Sequence, residues 1–111
     1  MLKSEIQHGV RVVRVAGKRI DAARAPEFRS EMNALIDEGP HQIVLDLEGV
    51  DFVDSSGLGA IVSGLKRLGP RGDLAIAAAS GSVARLFALT RMDKVFPLHQ
   101  DVDTAVKRLA E

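Results

Sequence analysis

The 111-residue chain contains no cysteine. That excludes disulfide scaffolds, thiol nucleophiles and cysteine-based metal sites, and nothing in the composition calls for an oxidising compartment. It also lacks an excess of either charge: 15 Lys and Arg stand against 15 Asp and Glu. A dedicated nucleic-acid binder needs surplus clustered cations for phosphate contacts, and a polybasic membrane module needs the same, so neither is expected. Long apolar runs are missing too. The longest clean one, Leu74 to Ala79, has six residues, where a membrane span needs about 20. The opening Met1-Leu2-Lys3-Ser4-Glu5 has no apolar stretch of signal-peptide length. A cytoplasmic protein is the expectation. What is present is ordinary for a globular domain, with 46% hydrophobic and 27% charged residues. The length suits one domain over residues 1–111 with one core.

Gly and Pro punctuate an alternation of strands and helices. Val10 to Val15 is β-branched and reads as a strand, with Leu2 to Gln7 as a partner across a His8-Gly9 turn. A polar loop, Gly17-Lys18-Arg19, follows. The next helix starts between Ala22 and Pro26, carries Phe28, Met32, Leu35 and Ile36 on one stripe, and stops at Gly39-Pro40. Ile43 to Leu47 reads as a buried strand. Leu58, Ile61, Val62, Leu65 and Leu68 mark a second amphipathic helix ended by Gly69-Pro70. Leu74 to Ala79 is another strand, Val83, Leu86 and Phe87 a short helix, and Val95 to Leu98 a weak final strand held to an edge by Pro97. Val102, Ala105, Val106 and Leu109 make a last helix with Asp101 and Asp103 at its positive end. The order β-β-α-β-α-β-α-β-α predicts an α/β fold: a mixed sheet with an N-terminal antiparallel hairpin, then right-handed βαβ units and packed helices.

The chemistry-bearing stretch is Asp51-Phe52-Val53-Asp54-Ser55-Ser56-Gly57-Leu58-Gly59-Ala60, which ends a strand segment and opens a helix. Asp54 or Ser55 can cap the first turn. Gly57 and Gly59 each cost roughly 1 kcal/mol in helix propensity, so the turn needs close approach by something, either another segment of this chain or a partner. An exposed Ser hydroxyl at a helix N-terminus also suits a phosphoryl group, because the free N–H groups and the dipole favour negative charge there. Other constellations are weaker. There is no third Gly for a dinucleotide fingerprint and no Gly-Lys-Ser/Thr phosphate loop. Asp46, Glu48, Asp51 and Asp54 cluster near one strand end, as Mg²⁺ ligands do in receiver domains, but no acid pair ends the first strand. His8, His41 and His99 are scattered. No metal or cofactor is expected.

Asp54-Ser55-Ser56-Gly57-Leu58-Gly59, preceded by Asp51-Phe52-Val53 and the strand Ile43 to Leu47, resembles the signature of STAS-domain anti-sigma-factor antagonists. Gly17 to Asp21 with Ala22 to Phe28 is similar to the family's loop before its first helix. Ser82 to Phe87 and Arg91 to Phe96 are similar to its later helix and final strand. The resemblance implies a non-enzymatic partner switch. The unphosphorylated protein would bind an anti-sigma factor, itself a serine kinase, and release the sigma factor. Phosphorylation of Ser55 would turn it off, and a PP2C-type phosphatase would reverse that. The implied partner-binding residues are Asp21, Asp54, Ser55, Ser56, Gly57, Leu58 and Gly59. One departure stands in the pattern: two residues, Lys18 and Arg19, separate Gly17 from Ile20-Asp21, where the family usually has one.

Two other functions compete. In one, the same fold serves as a subunit of a transport or sensory complex and Ser55 only caps a helix. In the other, Ser55 is the nucleophile of a small hydrolase. The intact acceptor motif disfavours the former, and the lack of a His/Asp pair in suitable spacing disfavours the latter.

Overall fold

A computed structural model describes all 111 residues. Strands β1 (Leu2–Gln7) and β2 (Val10–Val15) form the expected antiparallel hairpin. His8 and Gly9 both have positive φ, 52° and 79°, as the tight turn matching strand twist requires. The chain then passes through a two-residue strand β3 (Arg19–Ile20) into helix α1 (Ala25–Glu38). Pro26 sits in the first turn of α1. Gly39, at φ 76°, ends it by donating its N–H to the carbonyls of Leu35 and Ile36.

Strand β4 (Gln42–Asp46) leads to a second two-residue strand, β5 (Phe52–Val53), and directly into helix α2 (Ser55–Leu68). Strand β6 (Asp73–Ala77), helix α3 (Gly81–Leu89), strand β7 (Leu98–His99) and helix α4 (Val102–Ala110) complete the chain. The main sheet runs β1-β2-β4-β6-β7, antiparallel only in the first pair, and β3 pairs with β5 in a separate parallel ribbon. This is the mixed α/β sheet that the sequence predicts.

Side chains alternate across the sheet, so each strand feeds two cores. Val13, Val15, Ile43, Leu45, Leu74 and Ile76 face α1 and α2 and meet Phe28, Met32, Ile36, Leu58, Ile61 and Leu68. Val10, Val12, Val44 and Ala77 face α4 and meet Ala105 and Val106. Gly64 lets α2 lie close to α1: a Cβ there would already touch Met32, Ile36 and Leu74 at 3.6–3.8 Å.

Strand β4 runs one residue earlier than the sequence pattern, Gln42–Asp46 instead of Ile43 to Leu47, and the last two strands differ more. Strand β6 stops at Ala77 because Ala78 takes a left-handed conformation, φ 62°. The final strand falls at Leu98–His99 instead of Val95 to Leu98. The amides of Val95 and Phe96 are both committed to the Met92 carbonyl in a short 3₁₀ turn, and Pro97 has no N–H. Phe96 is therefore no strand residue but a buried anchor, edge-to-face with Phe87 at 6.0 Å. No helix is long and apolar enough to cross a membrane.

Candidate functional site

Asp54 joins two loops. It is the N-cap of α2, in extended backbone conformation, and its Oδ1 accepts the Gly57 N–H at 2.8 Å. That satisfies one of the free donors of the first turn. Its Oδ2 accepts the Ala22 N–H at 3.0 Å from the turn before α1. The turn holding Ala22 is itself fixed by Asp21, whose Oδ1 accepts the Arg24 N–H at 3.2 Å and whose Oδ2 accepts from Arg19 Nε at 3.2 Å. The hydrogen bond from Arg19, with a smaller contribution from the Arg24 N–H, holds the Asp21 carboxyl below its ordinary value.

The small β3–β5 ribbon presses these loops together. Asp51 and Phe52 donate to the Lys18 carbonyl, and Asp54 donates to the Ile20 carbonyl. The Arg24 guanidinium reaches back to the carbonyls of Arg19 and Ala16 at 2.9 and 2.8 Å. Gly17, at φ 91°, makes room for it. The two residues between Gly17 and Ile20 thus wrap around one arginine, and Arg19 ends up over the Phe52 ring at 4.2 Å. From the other side, Ser82 at the start of α3 donates its hydroxyl to the Asp51 carbonyl at 2.9 Å.

Ser55 is the first residue of α2, and both it and Ser56 are exposed. The two glycines of this turn do different things. A Cβ on Gly57 would collide with the Ile20 carbonyl oxygen and lie 2.8 Å from its carbon. The close approach that Gly57 permits is therefore made by this chain's own β3. Gly57 and Leu58 are buried and support the surface from beneath. Gly59 is exposed, with nothing within 4 Å of a Cβ, so no segment of this chain explains it.

The acid cluster does not converge. Asp46 is 4% exposed, 3.4 Å from Arg14 Nε, and accepts the Glu48 N–H. Asp54 faces the two loops described above, and no group of three His, Asp or Glu side chains comes together anywhere in the chain. The concavities of the surface lie along α4, lined by residues such as His8, Val106 and Lys107. The loops that meet at Asp54 carry exposed Arg19, Asp51 and Phe52 and a half-buried Asp21, next to the exposed Ser55.

The STAS domain family model matches residues 1–105. The chain belongs to the STAS-domain family of anti-sigma-factor antagonists. It is similar to the anti-sigma F factor antagonist of Paenibacillus polymyxa, 30% identical over 112 residues that cover 97% of this chain and 95% of that protein. It is also similar to the anti-sigma-B factor antagonist of Staphylococcus aureus, 29% identical over 92 residues, covering 82% and 84%. Among solved structures, an anti-sigma factor antagonist from Mycobacterium paratuberculosis superposes with a TM-score of 0.91 at 30% identity, covering 100% of this chain and 94% of that one. The names of these relatives describe a regulatory role, antagonism of an anti-sigma factor. In this STAS domain the motif Asp54 to Gly59 forms the cap and first turn of α2.

Proposed function

We propose that this STAS domain is a cytoplasmic partner switch. In its unphosphorylated form it binds an anti-sigma factor that is also a serine kinase, and thereby frees a sigma factor. Phosphorylation of Ser55 ends the interaction, and a PP2C-type phosphatase restores it. The protein has no catalytic residue of its own in this reading; its Asp21, Asp54, Ser55, Ser56 and Gly59 meet the partner, while Gly57 and Leu58 shape the surface from below. The observation that carries the reading is the exposed Ser55 at the first position of α2, directly after the capping Asp54, in a chain whose relatives are named anti-sigma factor antagonists.

The physics supports a switch without refolding. A phosphoryl group adds about −1.5 to −2 charge at neutral pH. At the positive end of α2 that charge is tolerated by the free N–H groups. The Asp54 carboxylate next to Ser55 already accepts from Gly57 and Ala22, so the new charge arrives beside an existing one. A partner packed on this surface meets repulsion and loses its close fit, and a switch needs only a few kcal/mol of differential binding.

The test is incubation of the purified protein with the kinase-like anti-sigma factor and ATP, followed by intact mass measurement. One phosphate should be added to the wild type and none to Ser55→Ala. Phosphorylation elsewhere, or none at all, would overturn the assignment of Ser55.

A further inference from the structure

Strand β1 is an open edge of the main sheet. The hairpin register pairs residues whose numbers run Leu2 with Val15 through Gln7 with Val10. The Ala16 N–H donates to the Met1 carbonyl at 2.7 Å. Hydrogen-bonded pairs alternate along an antiparallel ladder, so Lys3, Glu5 and Gln7 turn their backbone groups toward β2. Leu2, Ser4 and Ile6 turn theirs outward. The Leu2 N–H accordingly finds its acceptor outside the sheet, at Glu31 Oε1, 3.0 Å away. The outward groups of Ser4 and Ile6 have no such cover.

The side chains carry a second signal. Leu2, Ser4 and Ile6 lie on the α1 side, where the Ser4 hydroxyl accepts from Arg11 at 2.8 Å, and Ile6 is 51% exposed. On the opposite side, Lys3 stands directly across from Arg14. Like charges in that position are destabilising, and Arg14 is already paired with Glu5 and Asp46, which leaves Lys3 without a carboxylate.

We propose that two copies of this chain associate by antiparallel pairing of their β1 edges about a two-fold axis at Ser4, with Lys3 of each copy opposite Glu5 of the other. The outward groups permit this register, and the charges select it: centring the axis on Lys3 or on Glu5 instead would set like charges against each other. Ser4 faces the second copy's Ser4 as a hydrogen-bonded pair, and the Ile6 N–H meets the second copy's Leu2 carbonyl. Leu2 then covers the second copy's Ile6 on one face of the joined sheet. Lys3 and Glu5 fall at non-hydrogen-bonded positions on the other face, where side chains come closest. The patch is self-complementary, as an isologous interface must be. The strand leading to Ser55, β5, belongs to the separate β3–β5 ribbon and not to the sheet whose edge is β1, so the pairing uses neither it nor α2.

Sedimentation equilibrium over a concentration series tests this with two charge reversals. Lys3→Glu places a carboxylate across from Arg14 and keeps the monomer folded, but sets Glu against Glu twice across the two-fold. Glu5→Lys sets Lys against Lys. Each variant alone should dimerise at least roughly tenfold more weakly than the wild type. An equimolar mixture should recover the wild-type association, because each seam then holds one Glu and one Lys. Circular dichroism melts confirm that each variant is folded. The proposal is overturned if the wild type remains monomeric up to roughly 1 mM. It is equally overturned if the variants dimerise as the wild type does, or if mixing restores nothing.

Discussion

Gly57 and Gly59 stand in one helical turn and answer to different neighbours. Helix propensity alone favours Ala at both by roughly 0.5–1 kcal/mol. At 59, where nothing lies within 4 Å of a Cβ, Gly59→Ala should realise that gain and raise the melting temperature. At 57 the added methyl meets the Ile20 backbone, which cannot rotate away as a side chain can. Gly57→Ala should therefore destabilise by about 1–3 kcal/mol, the usual cost of overpacking. Denaturant midpoints of both variants check this, and equal shifts would contradict it. Partner affinity separates the roles further: a weaker complex with Gly59→Ala, in a domain that melts higher, would mark 59 as a contact position. The glycine pair is visible in the sequence as an expensive choice. What stands opposite each residue is not, because Ile20 reaches Gly57 only through the fold.

At the scale of elements, the long helices and the central strands were legible because their apolar periodicity is strong. The β3–β5 ribbon was not. Each of its strands has two residues, too few for any period to register, and their pairing joins segments on either side of α1. Yet this ribbon is what brings Asp21, Asp54 and the first turn of α2 into one surface. The final strand lies off its expected place for a related reason: Val95-Phe96 has strand composition, but its amides belong to the Met92 turn. Arg24 gives a handle on the ribbon. Arg24→Ala removes both guanidinium bonds to the Ala16 and Arg19 carbonyls. Charge-assisted bonds of this kind contribute about 1.5–3 kcal/mol when sheltered and less when exposed, so a loss of about 1–2 kcal/mol is expected. Amide exchange should speed up most at Asp51, Phe52 and Asp54, whose N–H groups depend on the Lys18 and Ile20 carbonyls. Unchanged exchange at those three amides would show that the ribbon holds without Arg24.

The whole molecule has a pH dependence written in its carboxylates. Glu5 is held below its ordinary value by the hydrogen bond from Arg14, Asp21 by that from Arg19, Glu31 by the Leu2 N–H, Asp37 by Arg67 and Asp101 by the Thr104 N–H. Each group binds protons more weakly folded than unfolded. Its contribution is complete above the ordinary carboxylate range near pH 4 and is lost as pH falls through the lowered folded value. Urea midpoints should stay level between about pH 5.5 and 7 and decline below about pH 4.5. Glu5, Asp37 and Asp101 are exposed and Asp21 and Glu31 only half-buried, so added salt should shrink the effect. A midpoint that rises on acidification would contradict the sign.

The central claim is that one exposed hydroxyl at the start of α2 decides whether the partner binds. The direct measurement is calorimetric titration of the purified anti-sigma factor, with its nucleotide, against wild type, Ser55→Ala, Ser55→Asp and phosphorylated wild type. Both variants should be folded, because Asp54 and not Ser55 supplies the cap, and because a carboxylate suits the positive end of α2. Ser55→Ala should bind as the unmodified protein does. Ser55→Asp should bind more weakly, and the phosphorylated protein more weakly still by at least roughly tenfold relative to unmodified, since phosphate carries nearly two charges where Asp carries one. Equal affinity for unmodified, Ser55→Asp and phosphorylated protein would contradict the account and reduce Ser55 to an ordinary first residue of a capped helix.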